Sequence, residues 1–321
     1  MKTALTVITA GIVAVIAMMQ VGCQTPKLEK VLVKTPAWTI LTNALIRGSE
    51  PKDGWATVPP GDIEKITKAI PEKAPATPKQ PRKVLVFWLC EGFPHGCIPW
   101  CNKMLEIMAE KTGAFFGTLC KDKSVFTTEN LKQYDGIILN NTTGLKFTPE
   151  QRQALLDFVN NGKGLIGIHA ATDCFGDWPA GVALLGGQFD GHPWGAGGTW
   201  AFKLDDPAHP VNASFGGKGF KAKDEIYQIK GPYSRDTHRV LLSLDMSDER
   251  TGGVDKKGLK RKDNDFAVAW LKQTGRGRVF YCSLGHNNEI FWTPAIVAHY
   301  LAGIQYALGD LKVDDTPTAK K

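Results

Sequence analysis

A chain of 321 residues with 43% hydrophobic and 22% charged residues can bury a large core, which excludes a wholly disordered protein. The net charge of +7 is modest, and no basic stripe interleaved with aromatic residues is present, which argues against nucleic-acid binding. The seven cysteines show no C-x-x-C spacing, so they do not by themselves indicate a metal site, and any disulfide pairing is left open.

The N-terminus has the pattern of a signal peptide. An apolar segment, 4–19, is too short for a confident transmembrane helix, and the residues at 20–23, Gln-Val-Gly-Cys, resemble the bacterial lipobox. We therefore expect residues 1–22 to be removed and Cys23 to be lipidated as the mature N-terminus. Because Gln24 is not an acidic retention residue, the exported protein is expected in the periplasm as an outer-membrane lipoprotein. Ordinary secretion with cleavage nearby is the alternative.

Residues 23–82 are predicted to form a lipid tether with short helices and a proline-rich linker. Apolar residues between 38 and 46 have helix-like spacing, and 61–70 predicts a short amphipathic helix. Four prolines within 71–81 indicate a stiff extended linker. This predicts that residues 24–82 are dispensable for the fold and that a chain beginning near Gln80 melts cooperatively, close to the full-length value. Whether the short helices pack on the main domain or only space it from the membrane is open.

The main domain is predicted to span residues 83–312. Its first half alternates short apolar strands with helices, which is typical of a flavodoxin-like, doubly wound parallel sheet. The residues at 148–151, Thr-Pro-Glu-Gln, have the pattern of a capped helix start. The predicted strands of this half are 84–89, 117–120, 136–139 and 165–168, and its predicted helices are 102–111, 128–134 and 149–160.

The second half is richer in loops. A hairpin is predicted about Gly275-Arg276-Gly277, and residues 313–321 read as a polar tail. The other elements predicted here are strands at 239–244, 266–271 and 278–283, a strand opening at 224–227, and a closing helix at 294–308.

Three histidines stand at or just after predicted strands, namely His95, His169 and His286. In open α/β sheets, ligands bind at the carboxyl ends of the strands, so one edge is expected to gather these rings. Asp173 follows His169 by four residues and is expected to orient its imidazole. We predict His169, Asp173, Glu225 and His286 as the catalytic residues.

Two chemistries are open for this cluster. Neutral imidazoles and a carboxylate could hold a divalent metal such as zinc with an open position, with His95, His169, His192 and His286 as the candidate ligands. Alternatively, the same groups could serve as general acid and base near neutral pH without a metal. Three other histidines, His209, His238 and His299, are assigned structural positions.

Aromatic residues near these loops suit the stacking of sugar rings beside polar groups. The residues predicted to contact a substrate are Phe93, His95, Asn141, Trp194 and Tyr227.

The order of these motifs resembles that of the trehalose-utilisation (ThuA-like) family. The similar segments are Gly92-Phe93-x-His95, Asn141-Thr142-Thr143-Gly144, Gly167-Ile168-His169-Ala170-Ala171-Thr172-Asp173, His192-Pro193, Asp206-Pro207-x-His209-Pro210, Asp224-Glu225-x-Tyr227, Gly277-Arg278-Val279-Phe280-Tyr281 and Leu284-Gly285-His286. They cover residues 83 to about 310, in order. Pro94 departs from the arginine that many members carry, which puts an anion-binding role for that loop in doubt.

The resemblance implies a branch of the class I glutamine amidotransferase-like fold. There, a nucleophilic cysteine occupies the turn where this chain has His169, so glutamine hydrolysis through a thioester is not expected. The resemblance further implies a carbohydrate-active enzyme of the hydrolase or lyase type, acting on a disaccharide, a glycoside or its keto derivative by hydrolysis, elimination or isomerisation. We expect a small sugar as the partner, no nucleotide cofactor and no nucleic acid. A non-catalytic carbohydrate-binding lipoprotein is the alternative.

Overall fold

The computed structural model describes residues 30–34, 38–43 and 57–318. The predicted signal peptide and Cys23 lie outside the described residues. Among those that are described, no helix has the length and apolar character needed to cross a membrane.

A large mixed sheet runs through the described part of the chain. In spatial order its strands are β1-β2-β4-β3-β5-β6-β13-β12-β11-β8-β9, and those from β2 to β13 are parallel. The strands are β1 Lys30–Lys34, β2 Trp38–Asn43, β3 Lys83–Phe87, β4 Phe116–Cys120, β5 Gly136–Asn140, β6 Gly164–Ile168, β7 Gln188–Phe189, β8 Thr199–Leu204, β9 Phe220–Lys223, β10 Ile229–Lys230, β11 Arg239–Leu244, β12 Ala267–Thr274 and β13 Gly277–Cys282. The predicted parallel sheet is confirmed, and β12, β11, β8 and β9 extend it with antiparallel strands.

Helices cover the sheet on both faces. The predicted capped start at residue 148 is confirmed, because Thr148 and Gln151 form a reciprocal capping box. The helices are α1 Pro60–Ala69, α2 Ile98–Thr112, α3 Thr128–Leu131, α4 Pro149–Asn160, α5 Pro179–Leu185, α6 Glu249–Gly252 and α7 Pro294–Ala307.

The core lies on both sides of the parallel strands, because successive side chains of a strand point to opposite faces and both faces are covered. In β3, Val84 and Val86 join one buried cluster, whereas Leu85 and Phe87 join the other. Both faces of the parallel strands are therefore buried. Polar side chains lie at the ends of the strands.

The segment before β3 packs on the domain. Helix α1 is close to the predicted 61–70, and Ile66 is fully buried in the core. The extended stretch after it is fastened to the C-terminal end of the domain: Ala76 and Gln305 exchange hydrogen bonds of 2.9 and 2.6 Å, and Arg82 makes a two-pronged contact with Asp310. Of the two arrangements that the sequence leaves open, the segment packs on the main domain. Whether residues 24–82 are dispensable stays a prediction, and these contacts argue against it.

Two predicted elements are wrong. Residues 38–43 form strand β2, paired with β1 and β4, although their apolar spacing predicts a helix. Residues 224–227 are an irregular bend after β9, with a single bridge between Ile226 and Trp194. In both cases the conformation depends on whether the segment pairs with other strands. The local sequence pattern carries no information on such pairing.

Candidate active site

The sharp turn at the end of β6 places the first histidine. His169 has a φ of 46°, a left-handed conformation that costs a side-chain-bearing residue about 1–2 kcal/mol. The hydroxyl of Tyr281 donates to the His169 carbonyl at 2.8 Å and helps to hold this turn. The ring is fully buried, and its Nδ1 lies 2.7 Å from the carbonyl oxygen of Ser283. Since a carbonyl can only accept, Nδ1 carries the proton, and the lone pair of Nε2 faces the neighbouring side chains.

The loop after β13 carries the second histidine. Gly285 has a φ of 129°, and a side chain there would press against Ile168 and His169, so glycine permits this close approach. The Nδ1 of His286 lies 3.3 Å from the Nε2 of His169, and a quarter of its side chain is exposed. The two imidazoles thus meet, as their predicted places after neighbouring strands require.

The third histidine comes from the loop after β3. That loop is fastened to the end of β5, because the Thr143 hydroxyl donates to the Phe93 carbonyl at 2.9 Å. The ring of His95 is centred 5.1 Å from that of His169 and 5.4 Å from that of His286. Its Nε2 is 3.4 Å from the Tyr227 hydroxyl.

Glu225 supplies the carboxylate. Its Oε1 lies 3.4 Å from the Nδ1 of His286 and 3.7 Å from the Nε2 of His169, and its Oε2 lies 3.5 Å from the Nδ1 of His192. One atom from each of four residues, His95, His169, Glu225 and His286, falls within 4.8 Å of the other three. We call these four residues the histidine cluster. Four of the predicted site residues therefore converge at one edge of the sheet.

Burial keeps two of these rings uncharged. It lowers the pKa of His95 to about 4, with the neighbouring His286 adding to the effect. Burial also lowers the pKa of His169 well below its usual value, and His95 adds to that shift. Near neutral pH both rings are therefore neutral and offer lone pairs.

Two of the predicted residues stand elsewhere. The predicted contact between Asp173 and His169 is wrong, because the Ser283 carbonyl occupies the Nδ1 side and Glu225 and His286 occupy the Nε2 side. Trp194 does not offer a stacking face. Its ring is fully buried against Phe266, and its Nε1 donates to the Thr251 carbonyl at 3.0 Å.

The remaining predicted residues lie around the cluster. The side chain of His192 is about half exposed; it reaches Glu225 and stacks on Phe189. Phe93 is 63% exposed, beside His95. Tyr227 is buried, with its ring 4.5 Å from that of His169.

Asn141 also lies at this sheet edge, directly after β5. It is buried with a positive φ of 52°, and its Oδ1 has no hydrogen-bond partner among the described residues.

The histidines assigned structural positions lie outside the cluster. The ring nitrogens of His209, His238 and His299 bond the backbone carbonyls of Asp314, Ser234 and Val211, respectively. These contacts agree with the structural assignment.

Sequence reasoning missed two groups that build the site. The Ser283 carbonyl sets the His169 tautomer, and a backbone oxygen leaves no signal in residue type. Asp224 accepts three backbone N–H groups from the loop of His286, and its place in the Asp224-Glu225-x-Tyr227 motif could have drawn attention to it.

Fold and site together define an α/β protein with a centre of three histidines and one glutamate at the carboxyl edge of its parallel strands. The chain belongs to the ThuA family, described as trehalose utilisation, whose model matches residues 83–307. This agrees with the resemblance seen in the motifs and places the protein in a family associated with carbohydrate metabolism.

Two solved structures share the fold. A ThuA-like protein from Bacteroides uniformis is 25% identical, with a TM-score of 0.57 over 73% of this chain and 94% of that one. A ThuA-like protein from Parabacteroides merdae is 19% identical, with a TM-score of 0.56 over 75% and 96%. No curated protein matches the chain.

Proposed function

We propose that this protein is an enzyme of carbohydrate metabolism that acts on a disaccharide, a glycoside or its keto derivative at the histidine cluster. The observation that carries the proposal is the convergence of three imidazoles and a carboxylate within 4.8 Å. Membership in a family described as trehalose utilisation supplies the substrate class.

The cluster fits a divalent cation such as zinc. Two of its imidazoles are kept neutral by burial, the carboxylate of Glu225 supplies charge, and one atom from each of the four residues lies within 4.8 Å of the others. Histidine nitrogen and carboxylate oxygen are ligands that zinc prefers, and Nδ1–H donation to a carbonyl is how ligating imidazoles are oriented. His95, His169, Glu225 and His286 would hold the ion. When bound, it would polarise a keto or hydroxyl oxygen of the sugar.

The buried and the partly exposed side chains of the cluster suit different roles in proton transfer. His169 is fully buried with a fixed tautomer, so it positions a lone pair. Without a bound ion, Glu225 and His286 are partly exposed and adjacent, so they can exchange protons with a bound sugar. In this metal-free alternative, Glu225 removes a proton beside a sugar carbonyl and His286 returns one, which suits elimination or isomerisation. With an ion bound, the two groups act as its ligands. Histidine, and not serine or cysteine, occupies the sharp turn at position 169, so a covalent acyl intermediate is not part of this proposal.

The rim of the cluster suits a sugar ring. The exposed face of Phe93 stands beside His95, and the stacked pair of Phe189 and His192 stands beside Glu225. Aromatic faces next to polar groups give sugars both apolar contact and hydrogen bonds.

The test is turnover of a panel of disaccharides and their keto derivatives, read by mass spectrometry, together with metal analysis of protein purified without chelator. Glu225→Gln should abolish turnover and reduce bound metal, because it removes the charge and the base while keeping the shape. His238→Asn is a matched control, since His238 is a buried neutral histidine outside the cluster.

Binding of a sugar by the wild type without turnover of any compound would overturn the enzyme proposal in favour of a binding lipoprotein. Turnover in protein shown to be free of metal would retain acid–base catalysis and overturn the proposed metal.

A further inference from the structure

Asp224 is a fully buried carboxylate at the junction of two segments of the site. Its Oδ2 accepts the N–H of Gly285 at 2.6 Å, and its Oδ1 accepts those of His286 and Asn287 at 3.0 and 2.7 Å. It therefore binds the loop of His286 through three consecutive backbone donors. Asp224 also directly precedes Glu225 in the chain.

A second contact joins the same two segments. The side-chain amide of Asn287 donates to the Lys223 carbonyl at 3.1 Å and to the Ala196 carbonyl at 2.9 Å. The loop after β13 and the bend after β9 are thus held together on both sides of Asp224. The Glu225 and His286 side chains project from this junction and lie 3.4 Å apart.

The acceptor capacity of Asp224, and not only its shape, matters at this junction, because three backbone N–H groups converge on its two oxygens. A carboxylate can accept from all three donors with its two oxygens, whereas an amide of the same shape would turn an NH₂ group toward at least one N–H. Such a replacement leaves the side-chain volume unchanged but breaks the junction.

We propose that Asp224 is a positioning residue that sets the distance between Glu225 and His286 in the histidine cluster. The benefit of this positioning for metal binding or catalysis rests on the proposed function. The positioning of Glu225 and His286 by Asp224 does not depend on it. Positioning groups behind metal ligands typically change metal affinity by about 10- to 100-fold when they are replaced.

The experiment compares the wild type with Asp224→Asn in the full chain. The seven histidines are followed by long-range ¹H–¹⁵N correlation spectra, with the His286 signals assigned from His286→Asn. In Asp224→Asn we expect the His286 and His169 signals to shift, while those of His238 and His299 stay in place. Zinc affinity, measured by calorimetry, should fall by about 10- to 100-fold.

Asp310→Asn is the matched control. Asp310 is also a carboxylate with a buried side chain, but its partner is Arg82, away from the cluster. This variant should lower the melting temperature without moving the His286 signals or the zinc affinity. A general loss of packing would instead move these readouts in both variants, and that result would overturn the proposal.

Unchanged His286 signals in folded Asp224→Asn would also overturn the inference. If that variant does not fold, Asn287→Ala tests the same junction, since it removes two side-chain hydrogen bonds and leaves Asp224 in place. It should shift the His286 signals in the same direction, and unchanged signals would refute the junction's role. If the wild type neither binds zinc nor turns over a sugar, the proposed function fails, and the imidazole signals still decide the positioning role.

Discussion

Replacement of Ile66 by alanine tests whether the segment before β3 belongs to the folded domain. The Ile66 side chain on α1 is fully buried in the core cluster that also contains residues of β3 and α2. The change removes three carbon groups, which costs about 2.4 kcal/mol of transfer free energy at about 0.8 kcal/mol each. The cavity left behind raises the expected loss in the free energy of unfolding to about 3–4 kcal/mol.

For a domain of this size, that loss corresponds to a fall in melting temperature of about 6–8 °C, measured by calorimetry or circular dichroism. Lys68→Ala on the same helix is the control. Lys68 and its partner Glu64 are both exposed, and solvent screening leaves such a pair little effect on stability. If Ile66→Ala melts at the wild-type temperature, α1 is not coupled to the core. A chain beginning at Gln80 should also melt lower, because it lacks α1 and the Ala76–Gln305 hydrogen bonds.

Two further predictions concern single contacts, and a third concerns the N-terminal sequence pattern. Burial lowers the pKa of His299 to about 4, so below pH 6.5 the unfolded chain takes up the proton first and stability falls toward pH 4. His299→Asn keeps a donor to the Val211 carbonyl but cannot titrate. Between pH 7 and pH 5 the free energy of unfolding, measured with urea, should fall by about 2 kcal/mol less in this variant than in the wild type. Equal decreases in the two proteins would contradict the burial argument. Trp194→Phe leaves the Thr251 carbonyl without its donor and should cost about 1–3 kcal/mol of stability with sugar affinity unchanged, whereas a loss of affinity alone would restore Trp194 to the site. Cys23→Ser should move the protein from the membrane to the soluble periplasmic fraction in cell fractionation, and a wild type that is already soluble would refute the lipoprotein prediction.

The convergence of the histidines could be predicted because parallel strands all end at the same edge of the sheet, however far apart they are in the sequence. A residue that follows a buried parallel strand must lie at the same sheet edge as its counterparts, so His95, His169 and His286 could be brought together from sequence alone. Glu225 was found through its motif, although the strand predicted there is absent.

The errors concern contacts that depend on partners distant in sequence. Asp173 is near His169 in the chain, but the Ser283 carbonyl reaches the ring first, and no sequence pattern marks a backbone oxygen. The indole N–H of Trp194 is compatible with a position at the edge of a sugar-binding site. Only its contacts with Phe266 and Thr251 show that the ring belongs to the core.

The left-handed backbone at His169 has a consequence for how this residue would respond to selection. Glycine would adopt the φ of 46° without the cost of about 1–2 kcal/mol. It would also leave a cavity where the fully buried ring stood and deprive the Ser283 carbonyl of its donor, and large-to-small core substitutions cost about 2–5 kcal/mol. The loss exceeds the gain, so a laboratory screen for thermostability alone would retain histidine at position 169. Retention of this histidine in such a screen would therefore carry no information on ligand binding or turnover, which must be read separately.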